Sequence, residues 1–110
     1  MGRVFLPHKT DKDVSSAKVY GDIFYLCDDC QVFDVDGTLR TFHKALNMFE
    51  FDPEQDYICM TGRPLALAFL LVLVMKRFDR VRLLFHNAKF NAYRSRMFTV
   101  EGLCTTTSKD

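Results

Sequence analysis

The apolar positions of this chain follow two rhythms, and the changes between them mark its elements. From Thr41 to Phe49 the residues Phe42, Ala45, Leu46 and Phe49 recur at three- and four-residue intervals, which predicts a short amphipathic helix. Leu65–Met75 is apolar on nearly every side. It predicts a broadly buried helix that opens at Pro64 and runs to about Phe78. Four short β-prone runs predict strands: Asp22–Leu26 (DIFYL), Gln31–Val35 (QVFDV), Asp56–Thr61 (DYICMT) and Arg80–Phe85 (RVRLLF). Asp52-Pro53 breaks the chain between elements. Residues 86–100 have no clear period, and residues 1–21 are mixed and polar. The expected organisation is a flexible N-terminal arm over 1–21 and one core domain, without an inserted cap, over 22–110.

From Gln31 onward the order is strand, helix, strand, helix, strand. That order predicts an α/β fold: a Rossmann-like three-layer sandwich with a mostly parallel sheet, ending after the third of these strands. Chemistry in such sheets gathers at the carboxyl ends of the strands. The run 22–26 either forms a hairpin with 31–35 or lies antiparallel along its bare edge.

Composition changes this picture little. A chain of 110 residues suits one domain, and 48% apolar content argues against disorder throughout. The net charge of +1 hides an asymmetry: residues 1–56 hold six Lys/Arg against eleven Asp/Glu, and residues 57–110 hold nine against three. The second half therefore offers a basic face to an anionic partner, or neutralises the first half in the fold. Residues 76–96 interleave Lys76, Arg77, Arg80, Arg82, Lys89, Arg94 and Arg96 with Phe78, Phe85, Phe90 and Tyr93. Basic groups among aromatics suit nucleic acid, although Phe78 and Phe85 also fit a core. The N-terminal residues lack an apolar secretory stretch, and Leu65–Met75 is too short to span a bilayer. The protein is expected to be intracellular, cytoplasmic or nuclear, with reduced thiols and no membrane partner. Cys27-Asp28-Asp29-Cys30 has half the ligands of a zinc site, or the spacing of a redox pair, or is an ordinary turn.

The segment with the most chemistry is Asp34-Val35-Asp36-Gly37-Thr38-Leu39. Two carboxylates two residues apart on a strand face one side. Crowded together they repel, and a hard divalent cation such as Mg²⁺ relieves the repulsion. A metal-bound carboxylate can attack phosphorus, and its neighbour can shuttle a proton. An acidic turn after a strand is the plain alternative. Further along, Thr61-Gly62-Arg63-Pro64 ends a predicted strand and opens a helix whose N-terminus suits a phosphoryl oxygen. Thr-Gly is also an ordinary helix start.

DVDGTL resembles motif I of the haloacid-dehalogenase-like (HAD) phosphatases, and TGRP resembles their motif II. The resemblance implies an Mg²⁺-dependent phosphomonoester hydrolase with Asp34 as nucleophile, Asp36 as acid/base, and both at the metal. Thr61 would hold a phosphoryl oxygen, with Gly37, Thr38, Gly62 and Arg63 around it. The motif III lysine is either Lys89 or Lys109, and Thr106-Thr107-Ser108-Lys109 fits its context better. His43 and His86 stand as auxiliary candidates. The TGRP turn and the basic segment after it also resemble the Swiss Army knife RNA-repair-like HAD group, which implies RNA or DNA ends, or another large phosphorylated substrate. Motif IV is missing, because only Asp110 follows Lys109. The alternative is thus a catalytically incomplete binding module or truncated isoform. An exposed sheet edge would then be open to self-association.

Overall fold

A computed structural model describes residues 2–30 and 33–101. Five strands form one mixed sheet in the order β2-β1-β3-β4-β5. They are β1 (Arg3–Leu6), β2 (Asp22–Tyr25), β3 (Tyr57–Cys59), β4 (Arg80–Asn87) and β5 (Ala92–Thr99). The first four run parallel, and β5 turns back antiparallel on β4. Helices α1 (Val35–Met48) and α2 (Pro64–Phe78) link β2 to β3 and β3 to β4, and a 3-10 helix, Ser15–Tyr20, links β1 to β2.

Strand β1 is the centre of this arrangement. Val4 pairs with Ile23 on one side and Tyr57 on the other, and Phe5 pairs with Phe24 and Ile58. Both of its faces are covered, and Val4, Phe5 and Leu6 are fully buried. Alternation along the strand sends Phe5 to one face and Val4 and Leu6 to the other. Phe5 joins Ile58, Val81 and Leu83 beneath Phe42 and Leu46 of α1 and Leu70 and Val74 of α2. Its ring lies 5.1 Å from that of Phe49 and 5.7 Å from those of Phe24 and Phe51. Val4 and Leu6 pack with Cys59, Leu84 and Tyr93 against Val14 and Ala17, beside the 3-10 helix. The connection toward β2 therefore lies on one face, and the connections toward β3 and β4 on the other. Right-handed crossovers dictate this when the chain reverses direction across a sheet.

Local chemistry sets the element ends. Asp34 caps α1 by accepting the Gly37 N–H at 3.0 Å. Pro64 opens α2, where its missing N–H is no loss, and Asp79 ends it in the left-handed conformation. Asn91, with φ 48°, makes the turn from β4 into β5, as asparagine tolerates. No helix among the described residues is long and apolar enough to cross a membrane.

The α/β class expected from the sequence stands, but several details do not. The expected flexible arm contains the central strand, because Arg3–Leu6 is apolar enough to be buried on both faces. Of the expected strand 31–35, Gln31 and Val32 lie outside the described residues, Asp34 is a helix cap and Val35 begins α1. β2 pairs parallel to β1. The sheet does not stop after Arg80–Phe85, since the aperiodic residues 86–100 hold the end of β4 and all of β5.

One buried carboxylate ties the start of β1 to the start of β3. Asp56, 1% exposed, accepts the Arg3 backbone N–H at 3.1 Å, the Arg3 guanidinium at 2.9 and 3.2 Å, and the Asp52 N–H at 2.9 Å. Removing it strands two backbone donors and a guanidinium. Asp56→Ala is expected to lower stability by roughly 3 kcal/mol, read as a fall in the urea midpoint at constant m-value. A change within about 0.5 kcal/mol would contradict this role.

Candidate functional site

Three loops meet at the carboxyl end of the sheet, and side chains lock them together. After β1 come Pro7, His8 and Lys9; after β2 come Cys27 to Cys30; after β3 come Met60 to Arg63. His8, 8% exposed, accepts the Arg63 backbone N–H on Nε2 at 2.9 Å. Its ring proton therefore sits on Nδ1 and donates to the Lys9 carbonyl at 2.7 Å. The Arg63 guanidinium donates to the Cys30 carbonyl at 2.7 Å and lies 3.2 Å from Asp29. The Cys27 carbonyl accepts the Lys9 N–H at 3.2 Å, and the Cys27 thiol donates to the Pro7 carbonyl at 3.3 Å.

Gly62 makes the β1–β3 junction feasible. Its φ is 150°, and a Cβ there would fall 2.8 Å from Pro7 Cγ and 3.1 Å from His8 Nε2. A hollow of about 290 Å³ opens beside it, lined by Lys12, Asp13, Thr61, Gly62, His86 and Tyr93. The Thr61 and Tyr93 hydroxyls share one hydrogen bond of 2.9 Å, and Cys59 Sγ donates to Thr61 Oγ1 at 3.7 Å. One bond between two hydroxyls uses one proton, and the Cys59 sulfur stands beside the pair as a further partner for Tyr93. Burial is the main cause raising the Tyr93 phenol above its ordinary range, which keeps it a neutral donor. Tyr93 is held in turn by the Tyr20 hydroxyl, which donates to its carbonyl at 2.8 Å. Asp13 accepts the Ser15 N–H at 2.9 Å, and its hydrogen bonds with Ser15 lower its pKa, so it is an anion at neutral pH.

A second, smaller hollow of about 160 Å³ lies at the start of α1, lined by Cys27, Asp29, Cys30, Asp34, Thr38 and Thr41. Here the sequence-derived residues separate. Asp34 faces this hollow with one carboxylate oxygen committed to the Gly37 N–H. Asp36 is exposed in the first turn, and Thr38 is buried within α1. Gly37 is required by the cap, since a Cβ there would fall 2.2 Å from Asp34 Oδ2. Thr61 lines the other hollow, because β1 stands between β2 and β3 in the sheet. Two strand spacings, about 9.6 Å, thus divide the strands that the two motifs follow. Gly62 and Arg63 do lie beside Thr61. Lys89 sits in the β4–β5 turn over the Phe90 ring, and Lys109 lies outside the described residues. His43 is exposed on α1, whereas His86 lines the larger hollow.

Among the described residues no group of three His, Cys, Asp or Glu side chains is placed to hold a metal ion. Near Asp34 the neighbouring donors include two thiols, which are soft ligands that do not suit Mg²⁺. The Cys27 and Cys30 sulfurs are 2.8 Å apart and unbonded. A disulfide would need about 2.05 Å. Burial, then the hydrogen bond and charge of Cys30, push the Cys27 thiol up to about 12. That is the opposite of the depressed pKa of a reactive redox thiol.

A sequence model of one family matches residues 3–100, which take in every strand, both helices and all three loops. The chain belongs to the phage Pam3 gp32-like protein family. No curated protein and no solved structure matches it. The match overturns the HAD assignment, since no HAD family accounts for the chain. In this family member, DVDGT is a capped helix start: Asp34 is the cap, Asp36 is the acid of the first turn, and Gly37 is the donor. Sequence reasoning missed His8, Lys12 and Asp13 because they stood in the supposed arm. It named Tyr93 only as one aromatic of the basic run.

Two outcomes follow from this geometry. Gly62→Ala is expected to cost about 2 kcal/mol, through both backbone strain and the clash with Pro7, and equilibrium unfolding will show it. A thiol raised from 9.0 to about 12 has about a thousandth of the usual thiolate at pH 8. Native Cys27 should therefore react with iodoacetamide far more slowly than in urea-unfolded chain, and equal rates would refute the raised pKa of this half-buried thiol.

Proposed function

We propose that this member of the phage Pam3 gp32-like family is a non-catalytic binding module for a small phosphorylated, hydroxyl-bearing ligand such as a nucleotide or sugar phosphate. The carrying observation is the hollow bounded by Lys12, Asp13, Thr61, His86 and Tyr93 at the carboxyl ends of the strands. The strand order 2-1-3-4-5 supports a doubly wound reading of the sheet, in which β1 and β3 flank the point where successive connections change face. Ligands of doubly wound sheets bind in the crevice outside that point.

The lining has the chemistry for such a ligand. Lys12 supplies a cation, the Thr61 and Tyr93 hydroxyls supply polar groups in the same lining, and the positive end of α2 begins just past Gly62. Asp13 repels a phosphate placed directly on it, but it accepts well from a sugar hydroxyl. The lining thus offers partners for both a phosphate and a hydroxyl. Catalysis has less support, because Asp34 lines a different hollow and spends an oxygen on its own helix.

Isothermal titration with nucleoside monophosphates and hexose phosphates tests this reading. At least one should bind with a Kd of about a millimolar or tighter, and Lys12→Ala and Thr61→Val should each weaken it about tenfold, near 1.4 kcal/mol. Asp34→Asn should leave binding unchanged. The proposal fails if nothing binds, or if both crevice variants bind as well as the parent.

A further inference from the structure

The basic run 76–96 resolves into two populations. Arg77 donates to the Asn47 side chain at 2.7 Å, Arg80 pairs with Glu54, and Arg82 lies 5.5 Å from the centre of the Tyr57 ring. These three are engaged within the fold. Arg94 and Arg96 are exposed on the edge strand β5, with no carboxylate partner among the described residues. Cross-strand register decides what they stand beside. Arg94 pairs with Phe85 and Arg96 with Leu83, and directly opposed residues project to the same face. Phe85 is 38% exposed there. In the adjoining turn Phe90 is 60% exposed, with the Arg94 guanidinium 5.7 Å and the Lys89 ammonium 5.6 Å from its ring centre. The hairpin also borders an open concavity of about 620 Å³, with His86 and Ser95 in its wall beside both arginines.

We infer that this hairpin surface binds single-stranded nucleic acid, with Arg94 and Arg96 on backbone phosphates and Phe90, seconded by Phe85, stacking on bases. Exposed rings set among cations with no carboxylate partner among the described residues have a use that charge alone does not explain. A base offers its π-face only when it is unstacked, so a single strand fits and a closed duplex does not. Sequence preference should be weak, because every base has such a face. The inference does not depend on the crevice ligand, since no hairpin residue named for it other than His86 lines that crevice.

Fluorescence anisotropy with labelled oligo-dT and oligo-rU of about 12 nucleotides is the test. Two phosphate contacts predict a log–log salt slope of about −1.4, or roughly sevenfold weaker binding between about 50 and 200 mM salt. Arg94→Ala and Arg96→Ala should each reduce that slope by about 0.7. Phe90→Ala should weaken binding at least about fivefold without changing the slope, while Phe90→Tyr retains it. Dextran sulfate provides charge without bases. The inference is overturned if the oligonucleotides fail to bind, or if dextran sulfate binds as tightly and Phe90→Ala has no effect.

Discussion

Hydrogen bonding on both sides of Arg3–Leu6 is the constraint on which the architecture depends. A strand with two neighbours and two covered faces leaves no polar backbone unsatisfied and no apolar side chain wet. Phe5 anchors the helical face, and Val4 and Leu6 anchor the opposite one. With β1 in the middle, β2 and β3 cannot touch, and the loops that follow them are set apart. The two hollows at the top of the sheet are separate for that reason, and His8, at the end of β1, stands where it can tie its own loop to Arg63.

The His8 bond matters because loops after parallel strands have no ladder of their own. A buried imidazole that both donates and accepts is a rigid link between two backbones. Arg63 extends the link to the third loop through the Cys30 carbonyl. Its exposed pairing with Asp29 adds little beside that bond. The result is a carboxyl end whose three loops are tied together by residues that are weak signals one by one.

Much of the helical framework was legible in the sequence. The 3–4 spacing of Phe42, Ala45, Leu46 and Phe49 found α1, but its first turn was hidden because Gln31–Val35 was read as a strand and Gly37-Thr38 as the turn after it. Pro64 and the apolar run found α2 over nearly its full length. β3 and the start of β4 were legible as β-prone runs. β1 was not, because its three buried residues, Val4, Phe5 and Leu6, are apolar on both faces and show no alternation, and the polar residues around them resemble an arm. β5 was hidden for the opposite reason: Arg94, Ser95 and Arg96 are consecutive exposed residues on an edge strand. The site was legible only in part. Thr61, Gly62 and Arg63 do lie between β3 and α2, as the sequence suggested, but an acidic helix cap and an acidic turn after a strand share the same letters, and here DVDGT opens α1.

The two strands that flank β1 both follow it in the chain, and this has a consequence for biosynthesis. Val4 meets Tyr57 only 53 residues later along the chain. A nascent polypeptide leaving the ribosome would thus carry an apolar strand with a bare edge until most of the domain had been translated. Non-local pairing of this kind folds slowly and invites intermolecular association in the interval. Arg3, held later by Asp56, flanks that strand as a charged gatekeeper in the meantime.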